Sequence, residues 1–335
     1  MFKNNIKPDL EMIKLEKFVN ENASLKECLF CGAKMTSACN SHIVPRFILN
    51  NIAENGHVSY GYALSKIDYA GMNKTTGIKN AHTFRMICND CDQLNFKSYE
   101  DKEKLSNFST LDQKSKNQIL GEMAIKAHIA HIDMKYKRYI RAAAMQHENE
   151  YANVIKACGL DISEHRGYIY SIKHNMFFGN DQFDLLYFKE LPYRTHVASQ
   201  TIINYCYDLK GNQVFDPLLL KNSNQCRYFY LMILPFENKT LVFFYIEKSN
   251  VNNVVDIIEQ FEELSEDDKL HFLFISLIIH DQQIYLSPSL AEYIVKHDKK
   301  LERLYTKTEF TENQKIIAKF KKYNNYLINK NFSNK

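Results

Sequence analysis

Two short cysteine pairs constrain the fold of this chain more than any other feature of its sequence. Cys28 and Cys31 form one CxxC pair, Cys88 and Cys91 form a second, and 56 residues separate Cys31 from Cys88. Each CxxC turn presents two sulfurs to one tetrahedral ion, so two such pairs are the usual ligand set of a structural zinc site. We therefore predict that these four cysteines bind one Zn²⁺ and that the residues between the pairs are held within this clamp.

The remaining cysteines and the N-terminal residues indicate a reducing compartment. The chain contains eight cysteines, and Met1–Lys34 is charged and polar throughout, without the apolar segment of a secretory signal. A metal site is therefore favoured over a disulfide framework, and we expect a cytoplasmic protein. Cys39 has no pair partner and is predicted to be a packed or free thiol. Cys158, Cys206 and Cys226 are predicted to behave as small hydrophobic residues.

A histidine motif lies between the two pairs, and a carboxylate follows the second pair. Residues 41–47 read Ser-His-Ile-Val-Pro-Arg-Phe, and Asp92 comes directly after Cys91. This order resembles the zinc-clamped HNH (ββα-metal) endonucleases over about residues 25–105. The resemblance implies that His42 is the general base and that Asp92 helps to hold a catalytic Mg²⁺ or Mn²⁺. It also implies a DNA substrate, although nothing in the residues excludes RNA.

The chemistry of these side chains suits the implied roles. An imidazole has a pKa near the working pH, so His42 can accept a proton from an attacking water; the alternative is a structural histidine. Mg²⁺ prefers oxygen ligands, which Asp92 supplies at the start of a predicted helix over residues 89–104. Asp92 would otherwise only stabilise the positive end of that helix. Asn95 shares the face of Asp92 and is a candidate ligand. Glu100, about 12 Å further along the axis, is predicted to bind Lys or Arg or to position another element.

Two positions depart from the family pattern. Many members have Asp or Glu where this chain has Ser41, and Asn where it has Thr83. The predicted catalytic metal site therefore lacks a carboxylate from the first strand. The alternative interpretation is a non-catalytic zinc module that binds nucleic acid or a protein partner.

The predicted fold class is α+β, with a zinc-stapled ββα-metal module, a helical linker and a C-terminal α+β domain with a small antiparallel sheet. β-branched and aromatic runs at 227–234 and 241–247 flank a turn sequence and predict a hairpin. Helices are predicted at 112–146, 251–264, 266–279, 288–305 and 312–327. The predicted boundaries are a lead segment at 1–24, the HNH-like module at 25–105, a helical connector at 106–150, an α+β domain of unassigned role at 151–310, and a basic terminal helix or tail at 311–335.

Charge is distributed unevenly along the chain. The formal net charge is +4, but Lys296–Lys335 alone carries eleven Lys/Arg and four Asp/Glu. Aromatic residues alternate with these lysines, a pattern typical of a phosphate-binding surface and equally of an amphipathic helix packed on the protein body. A second basic cluster at 135–141 is interpreted as a solvated helix face, and His128 and His131 as packing or surface histidines. No apolar run reaches the roughly 20 residues needed to span a bilayer, so no membrane partner is expected.

Taken with the resemblance, these features predict a metal-dependent HNH-type endonuclease, a phosphodiester hydrolase. Relatives that join a small nuclease module to a larger domain often resemble effectors of antiviral defence or of mobile elements in bacteria, which implies such a role here. The domain at 151–310 contains no recognisable catalytic motif, so we expect it to bind a protein partner, a trigger or the substrate.

Overall fold

The computed structural model describes residues 10–35, 39–60, 75–81, 83–145, 150–215, 227–280, 284–306 and 315–328. The chain divides into two compact units, each assembled from separate stretches of sequence. Unit 1 comprises Met1–Ile43, Thr83–Asp101 and Gly121–Gly179; unit 2 comprises Val44–His82, Lys102–Leu120 and Asn180–Lys335. Helices and antiparallel sheets are both present, which confirms the predicted α+β class.

Unit 1 combines a short β-ribbon with two long helices. The strands β1 (Ser41–His42) and β4 (Thr83–Phe84) pair antiparallel. The helices are α1 (Leu10–Asn22), α3 (Asn89–Asn95), α5 (Gln113–Ala144, from residue 121 onward) and α6 (Glu150–Phe177). α5 confirms the long helix predicted at 112–146.

The second long helix, α6, was not predicted. Its buried positions include Cys158, His165, Ile169 and Ile172. A search for apolar residues at helical spacing overlooks this buried face, because a cysteine and a histidine occupy two of its positions. Gly159 and Gly167 further weaken the helical signal. The predicted boundary at residue 150 falls between α5 and α6, whereas both helices contribute to unit 1.

The continuous helix predicted at 89–104 is wrong. α3 ends at Asn95 because Phe96 leaves the helical region (φ −125°, ψ 17°), and a separate helix, α4 (Lys102–Ser106), begins seven residues later in unit 2. The rings of Phe96 and Tyr99 are fully buried. Both rings enter the interior of unit 1 from this non-helical segment.

Unit 2 is organised around an antiparallel sheet that has seven strands within the described ranges, in the order β3-β2-β9-β6-β7-β8-β5. We predicted a small sheet, and the observed sheet is larger than that prediction. Two strands arise from the sequence between the cysteine pairs and join strands from the C-terminal half. The strands are β2 (His57–Tyr60), β3 (Thr75–Gly77), β5 (Phe183–Leu191), β6 (Val197–Ile203), β7 (Phe229–Pro235), β8 (Thr240–Glu247) and β9 (Tyr285–Leu286).

The predicted hairpin is confirmed by β7 and β8, which pair from Phe229 with Ile246 to Pro235 with Thr240. Every residue of β6, β7 and β8 is buried, so both faces of the sheet centre are covered. Phe244 stacks on Phe229 with ring centres 5.1 Å apart and contacts Phe261 of the covering helices. Burial of each large apolar side chain contributes about 1.5–3 kcal/mol, which makes this sheet the main apolar core of unit 2.

The helices of unit 2 between residues 251 and 306 follow the predicted segments with local breaks, whereas the helix at Arg46–Ile52 was not predicted. The helices of this unit are α2 (Arg46–Ile52), α4, α7 (Val255–Glu262), α8 (Glu266–His280), α9 (Pro288–His297) and α10 (Lys299–Thr306), with 3-10 helices at Ile78–Asn80, Phe108–Thr110, Lys248–Asn253 and Lys315–Lys322. The predicted helix at 288–305 divides at Asp298, whose carboxylate accepts the backbone N–H of Leu301 at 3.0 Å.

The basic C-terminal segment packs on unit 2. In place of the helix predicted at 312–327, it forms a 3-10 helix at Lys315–Lys322 that is interrupted at Lys319. Ile317 and Phe320 are buried in the apolar core, while Lys319, Lys321 and Lys322 are exposed. Of the two interpretations of this segment, amphipathic packing is the one observed. None of the helices described has both the length and the apolar character needed to cross a membrane.

Candidate metal centre and adjoining polar cluster

The four paired cysteines come together in unit 1. The sulfur atoms of Cys28, Cys31, Cys88 and Cys91 all lie within 4.8 Å of one another, with Cys31 Sγ 3.9 Å from Cys88 Sγ. Such a cluster is close enough to bind a metal ion, and a set of four sulfur donors is compatible with a structural zinc site. The prediction that these two distant pairs converge is confirmed.

Local backbone geometry presents each pair of thiols. Gly32 adopts a left-handed conformation (φ 68°), and the Cys28 N–H donates to Ala33 O while the Gly32 N–H donates to Cys28 O, which closes a tight turn. Cys88 directly precedes α3 and Cys91 lies in its first turn. Burial raises the pKa of the Cys28 thiol, but backbone N–H donors of Cys31, Cys88 and Phe30 outweigh burial and lower it to about 7. A lowered pKa favours the thiolate, the form that binds metals.

The histidine motif lies on the strand beside this cluster. Ser41 pairs with Phe84 and His42 pairs with Thr83 across the β1–β4 ribbon. Thr83, the position that matches the family's middle Asn, therefore lies directly opposite His42. Ser41 is buried and His42 is half-buried. Strand β4 leads through Cys88 into α3, and β1, β4 and α3 all belong to unit 1, although α2, β2, β3 and a 3-10 helix lie between β1 and β4 in the sequence.

Asp92 contacts the neighbour of His42. Ser41 Oγ donates to Asp92 Oδ1 at 2.6 Å, and Cys39 Sγ donates to Asp92 Oδ2 at 3.4 Å. Burial, and then the negative charge of Asp92, raise the pKa of the Cys39 thiol to about 12, so Cys39 is a protonated donor. This agrees with the prediction that Cys39 is a packed thiol outside the zinc set. The role of Asp92 as a ligand of a catalytic ion stays a prediction.

A buried lysine completes this polar cluster. Lys126 of α5 has no exposed side-chain surface; its Nζ lies 3.8 Å from Asp92 Oδ1 and forms an ion pair with Glu100. Nζ also lies 4.7 Å from the centre of the Phe96 ring. The prediction that Glu100 binds a basic residue is confirmed. Sequence reasoning missed Lys126, although a single lysine within the apolar run from Met123 to Ile132 was a signal that could have identified it.

Two further contacts hold the segment after α3. The Tyr99 N–H donates to the carboxylate of Glu122, a buried residue of α5, at 2.6 Å, and the Tyr99 hydroxyl donates to Ile43 O at 3.3 Å. Asn95 Nδ2 donates to Cys91 O at 2.7 Å, so its amide caps a carbonyl of α3. A ligand role for Asn95 stays a prediction.

The helical histidines form a second buried cluster. His128 and His165 are joined by a hydrogen bond between their Nδ1 atoms of 2.9 Å, and the His128 ring stacks on Tyr168. Burial lowers the pKa of both imidazoles well below the usual value, so both are neutral, one donating and the other accepting. The prediction of a packing role is confirmed for His128.

An open groove of about 870 Å³ adjoins the first cysteine pair within unit 1. Its lining includes Phe30, Tyr136, Arg166 and Tyr170. The Tyr170 side chain is 65% exposed, which makes its ring accessible to a ligand. Aromatic rings and arginine are the side chains on which single-stranded nucleic acids stack.

Comparison of the chain with protein-family models, with curated proteins and with solved structures finds no match. The resemblance to HNH endonucleases therefore depends on the motif residues and on their arrangement in unit 1.

Proposed function

We propose that unit 1 is a zinc-organised nuclease module of the HNH type that hydrolyses phosphodiester bonds in DNA. The observation that carries the proposal is the hydrogen bond from Ser41 to Asp92. It joins the residue beside His42 to the residue that follows the second cysteine pair. The order of β1, β4 and α3 around the cysteine cluster also supports the strand–strand–helix arrangement that the resemblance implies.

We propose that the metal of the cysteine cluster is Zn²⁺ and that its role is structural. Four cysteine donors make a closed tetrahedral site with no open position for a substrate or a water. The ion would connect the turn before β1 to the start of α3. Its contribution to the reaction is therefore to hold His42 and Asp92 in a common framework.

His42 is the proposed general base. A ring nitrogen of His42 takes a proton from a water molecule as the water oxygen forms a bond to phosphorus. The bond between phosphorus and the leaving ester oxygen breaks, and that oxygen leaves with the electron pair and takes a proton from solvent. An imidazole suits this role because its pKa lies near neutral pH.

The residues around Asp92 do not fit the predicted divalent ion as they stand. Both carboxylate oxygens already accept hydrogen bonds, from Ser41 and from Cys39, and the ammonium of Lys126 lies 3.8 Å away. Mg²⁺ needs oxygen ligands at about 2.0–2.1 Å in near-octahedral geometry. No step of the proposed reaction is assigned to such an ion.

The test is cleavage of supercoiled plasmid by wild type and by His42→Ala. Loss of a general base lowers the rate by about 10²–10⁴-fold, so His42→Ala should lose nicking while it keeps its zinc and its circular dichroism spectrum. His57→Ala is the matched control, because His57 is an exposed histidine at the start of β2. Loss of zinc or of solubility in His42→Ala would make this histidine structural. Parallel assays with single-stranded DNA and RNA identify the substrate.

The second candidate is binding without cleavage, favoured by the groove beside the first cysteine pair. In that case the wild type leaves plasmid, DNA and RNA intact but retards a labelled oligonucleotide in a gel. Tyr170→Ala removes one ring on which a base can stack, so the binding free energy should weaken by about 1–3 kcal/mol. An oligonucleotide that is bound equally by Tyr170→Ala would remove the groove from the binding surface.

The implied role in defence or in a mobile element, and a trigger bound by the C-terminal half, remain proposals. A phage plating assay on cells that express wild type or His42→Ala tests the first. A plating efficiency that is the same for both proteins would count against a defence nuclease.

A further inference from the structure

Lys126 carries its charge in the interior of unit 1. Its side chain has no exposed surface, it is ion-paired with Glu100, and its Nζ lies 3.8 Å from Asp92 Oδ1. The ring centres of Phe96 and Tyr99 lie 4.7 Å and 5.9 Å from Nζ, within the range of cation–π attraction. An ammonium loses hydration when it is buried, so it is stable only where opposite charge and polar or aromatic contacts compensate. Two carboxylates and two rings supply that compensation.

The same contacts disfavour a second cation at Asp92, chiefly through the charge of Lys126. Oδ1 accepts from Ser41 at 2.6 Å and faces Lys126, and Oδ2 accepts from Cys39. A divalent ion bound there would lie close to the Lys126 ammonium. At about 4 Å and an effective dielectric constant of about 20, each pair of like unit charges lowers affinity by about 10³-fold.

We infer that Lys126 is the resident cation of the Asp92–Glu100 carboxylate pair and that this pair excludes divalent metal ions. Lys126 is in addition a positioning residue. It fixes the carboxylate of Asp92, which accepts from Ser41, and Ser41 precedes His42 on β1. The positioning role rests on the proposed nuclease function, whereas the exclusion of metal ions does not. Because Asp92 was the carboxylate predicted to hold the catalytic ion, we expect cleavage by the wild type without added Mg²⁺ or Mn²⁺.

Binding of Mn²⁺, followed by electron paramagnetic resonance of the free ion, tests the exclusion directly. Zinc-loaded protein is used, because Zn²⁺ outcompetes Mn²⁺ for thiolate ligands. Titrations of wild type and of Asp92→Asn should superimpose, and Lys126→Arg should match them. Lys126→Met should gain one Mn²⁺ per chain, and since a divalent ion and the ammonium make two pairs of like unit charges, this site should be tighter than any binding by wild type by more than about 10³-fold. The site should disappear when Asp92→Asn is added.

Two outcomes overturn the exclusion. The first is a wild-type Mn²⁺ site that Asp92→Asn removes, since the carboxylate would then bind a divalent ion beside Lys126. The second is a folded Lys126→Met protein that binds no more Mn²⁺ than wild type. If Lys126→Met does not fold, the comparison of wild type with Asp92→Asn still decides the first outcome without any change at Lys126.

Cleavage assays test the positioning role separately. Buffers are depleted of metal with a chelating resin, so that the protein-bound zinc remains. Wild type should cleave equally with and without Mg²⁺. Lys126→Met should lose about 10²-fold in kcat with KM unchanged, since small displacements of catalytic groups have effects of that size, and Lys126→Arg should recover most of the loss.

A wild type that cleaves only after Mg²⁺ is added would overturn the prediction of metal-independent cleavage, and the Mn²⁺ titration of Asp92→Asn would show whether that ion binds at Asp92. A wild type that cleaves no nucleic acid in any buffer would remove the proposed nuclease and the positioning role together. The Mn²⁺ titrations would still decide whether Lys126 excludes metal ions, so the two failures are distinguishable.

Discussion

The interiors of the two units differ in the charged and metal-binding groups that they bury. In unit 2 the central strands β6, β7 and β8 are fully buried in a large aliphatic and aromatic cluster, beside which Gln200, Glu247 and Asp298 are among the buried polar residues. In unit 1 the buried positions of α5 and α6 include Lys126, His128, Asp133 and His165, and four thiols lie nearby. The stability of unit 2 therefore comes mainly from the hydrophobic effect, which does not depend on the orientation of the groups. The stability of unit 1 depends in part on specific polar pairs and on a cluster of thiols that can bind a metal.

This difference predicts where substitutions are tolerated. An apolar core tolerates substitutions that preserve its volume, because its stability is distributed over many weak contacts. A buried ion pair or metal site fails when one member is removed, since the remaining charge has no solvent to receive it. The candidate catalytic and metal-binding residues lie in unit 1, so we expect substitutions there to have larger effects than matched substitutions in unit 2.

Removal of the metal should have the largest effect. Structural zinc contributes roughly 10–16 kcal/mol of apparent binding free energy in small modules, so Cys88→Ser should lose zinc and unfold unit 1. Hydrogen exchange should show the loss of protection in α3, α5 and α6, with β7 and β8 of unit 2 still protected. Cys206→Ser is the matched control, since Cys206 is a buried cysteine of unit 2 and its loss should leave the zinc content unchanged.

X-ray absorption checks the same assignment without a variant. One zinc per chain in a four-sulfur shell is expected. A shell rich in nitrogen or oxygen would mean that other residues bind the metal. Equal loss of protection in both units would show that their stabilities are not separable.

Lys126→Met should cause the second-largest loss of stability, after removal of the metal. Removal of one member of a fully buried ion pair costs about 3–5 kcal/mol. The loss here should be at the lower end of that range, because the Glu100 side chain is 38% exposed and can be hydrated, while Asp92 keeps its hydrogen bonds from Ser41 and Cys39. Urea unfolding of unit 1 measures the change. Lys102→Met is the control, since Lys102 makes an exposed ion pair with Glu237 in unit 2 and should leave the midpoint nearly unchanged. Similar midpoints for the two variants would contradict the polar character assigned to unit 1.

Glu247 should produce the smallest effect and one that depends on pH. It is buried at the end of β8, and burial raises the pKa of its carboxyl from 4.5 to about 7, although the Tyr230 hydroxyl donates to it. The folded state thus binds this proton more tightly than the unfolded chain does. Its stabilising contribution is full below pH 4.5 and is lost as pH rises through about 7, by at most about 3 kcal/mol.

The measurement is the difference in free energy of unfolding between wild type and Glu247→Gln from pH 4.5 to 8. Gln keeps the size of the side chain but does not titrate, so wild type should lose stability relative to the variant as pH rises. Parallel curves would contradict the raised pKa.

The buried histidines of unit 1 should have the opposite pH dependence. Burial lowers the pKa of His128 and His165, so their contribution to stability is lost as pH falls below about 6.5.

Features with local sequence signals were predicted well. The CxxC turns, the β7–β8 hairpin and the long helix α5 each depend on residues that are close in sequence, and each formed as predicted. Errors arose where burial overrode the local pattern. Phe96 leaves the helix so that its ring enters the interior, and α6 buries a cysteine and a histidine where the pattern called for apolar residues.

The sequence by itself predicted that the two cysteine pairs would meet, because each CxxC turn supplies half of a four-sulfur ligand set. That His42 and Asp92 form one catalytic site stays a prediction. Only the tertiary structure decided what surrounds Asp92. Lys126 reaches it from a helix that follows the motif, and no local preference records which distant residues a folded interior brings together. The same holds for β2 and β3, whose places in the sheet of unit 2 depend on pairing with β9 from the far end of the chain.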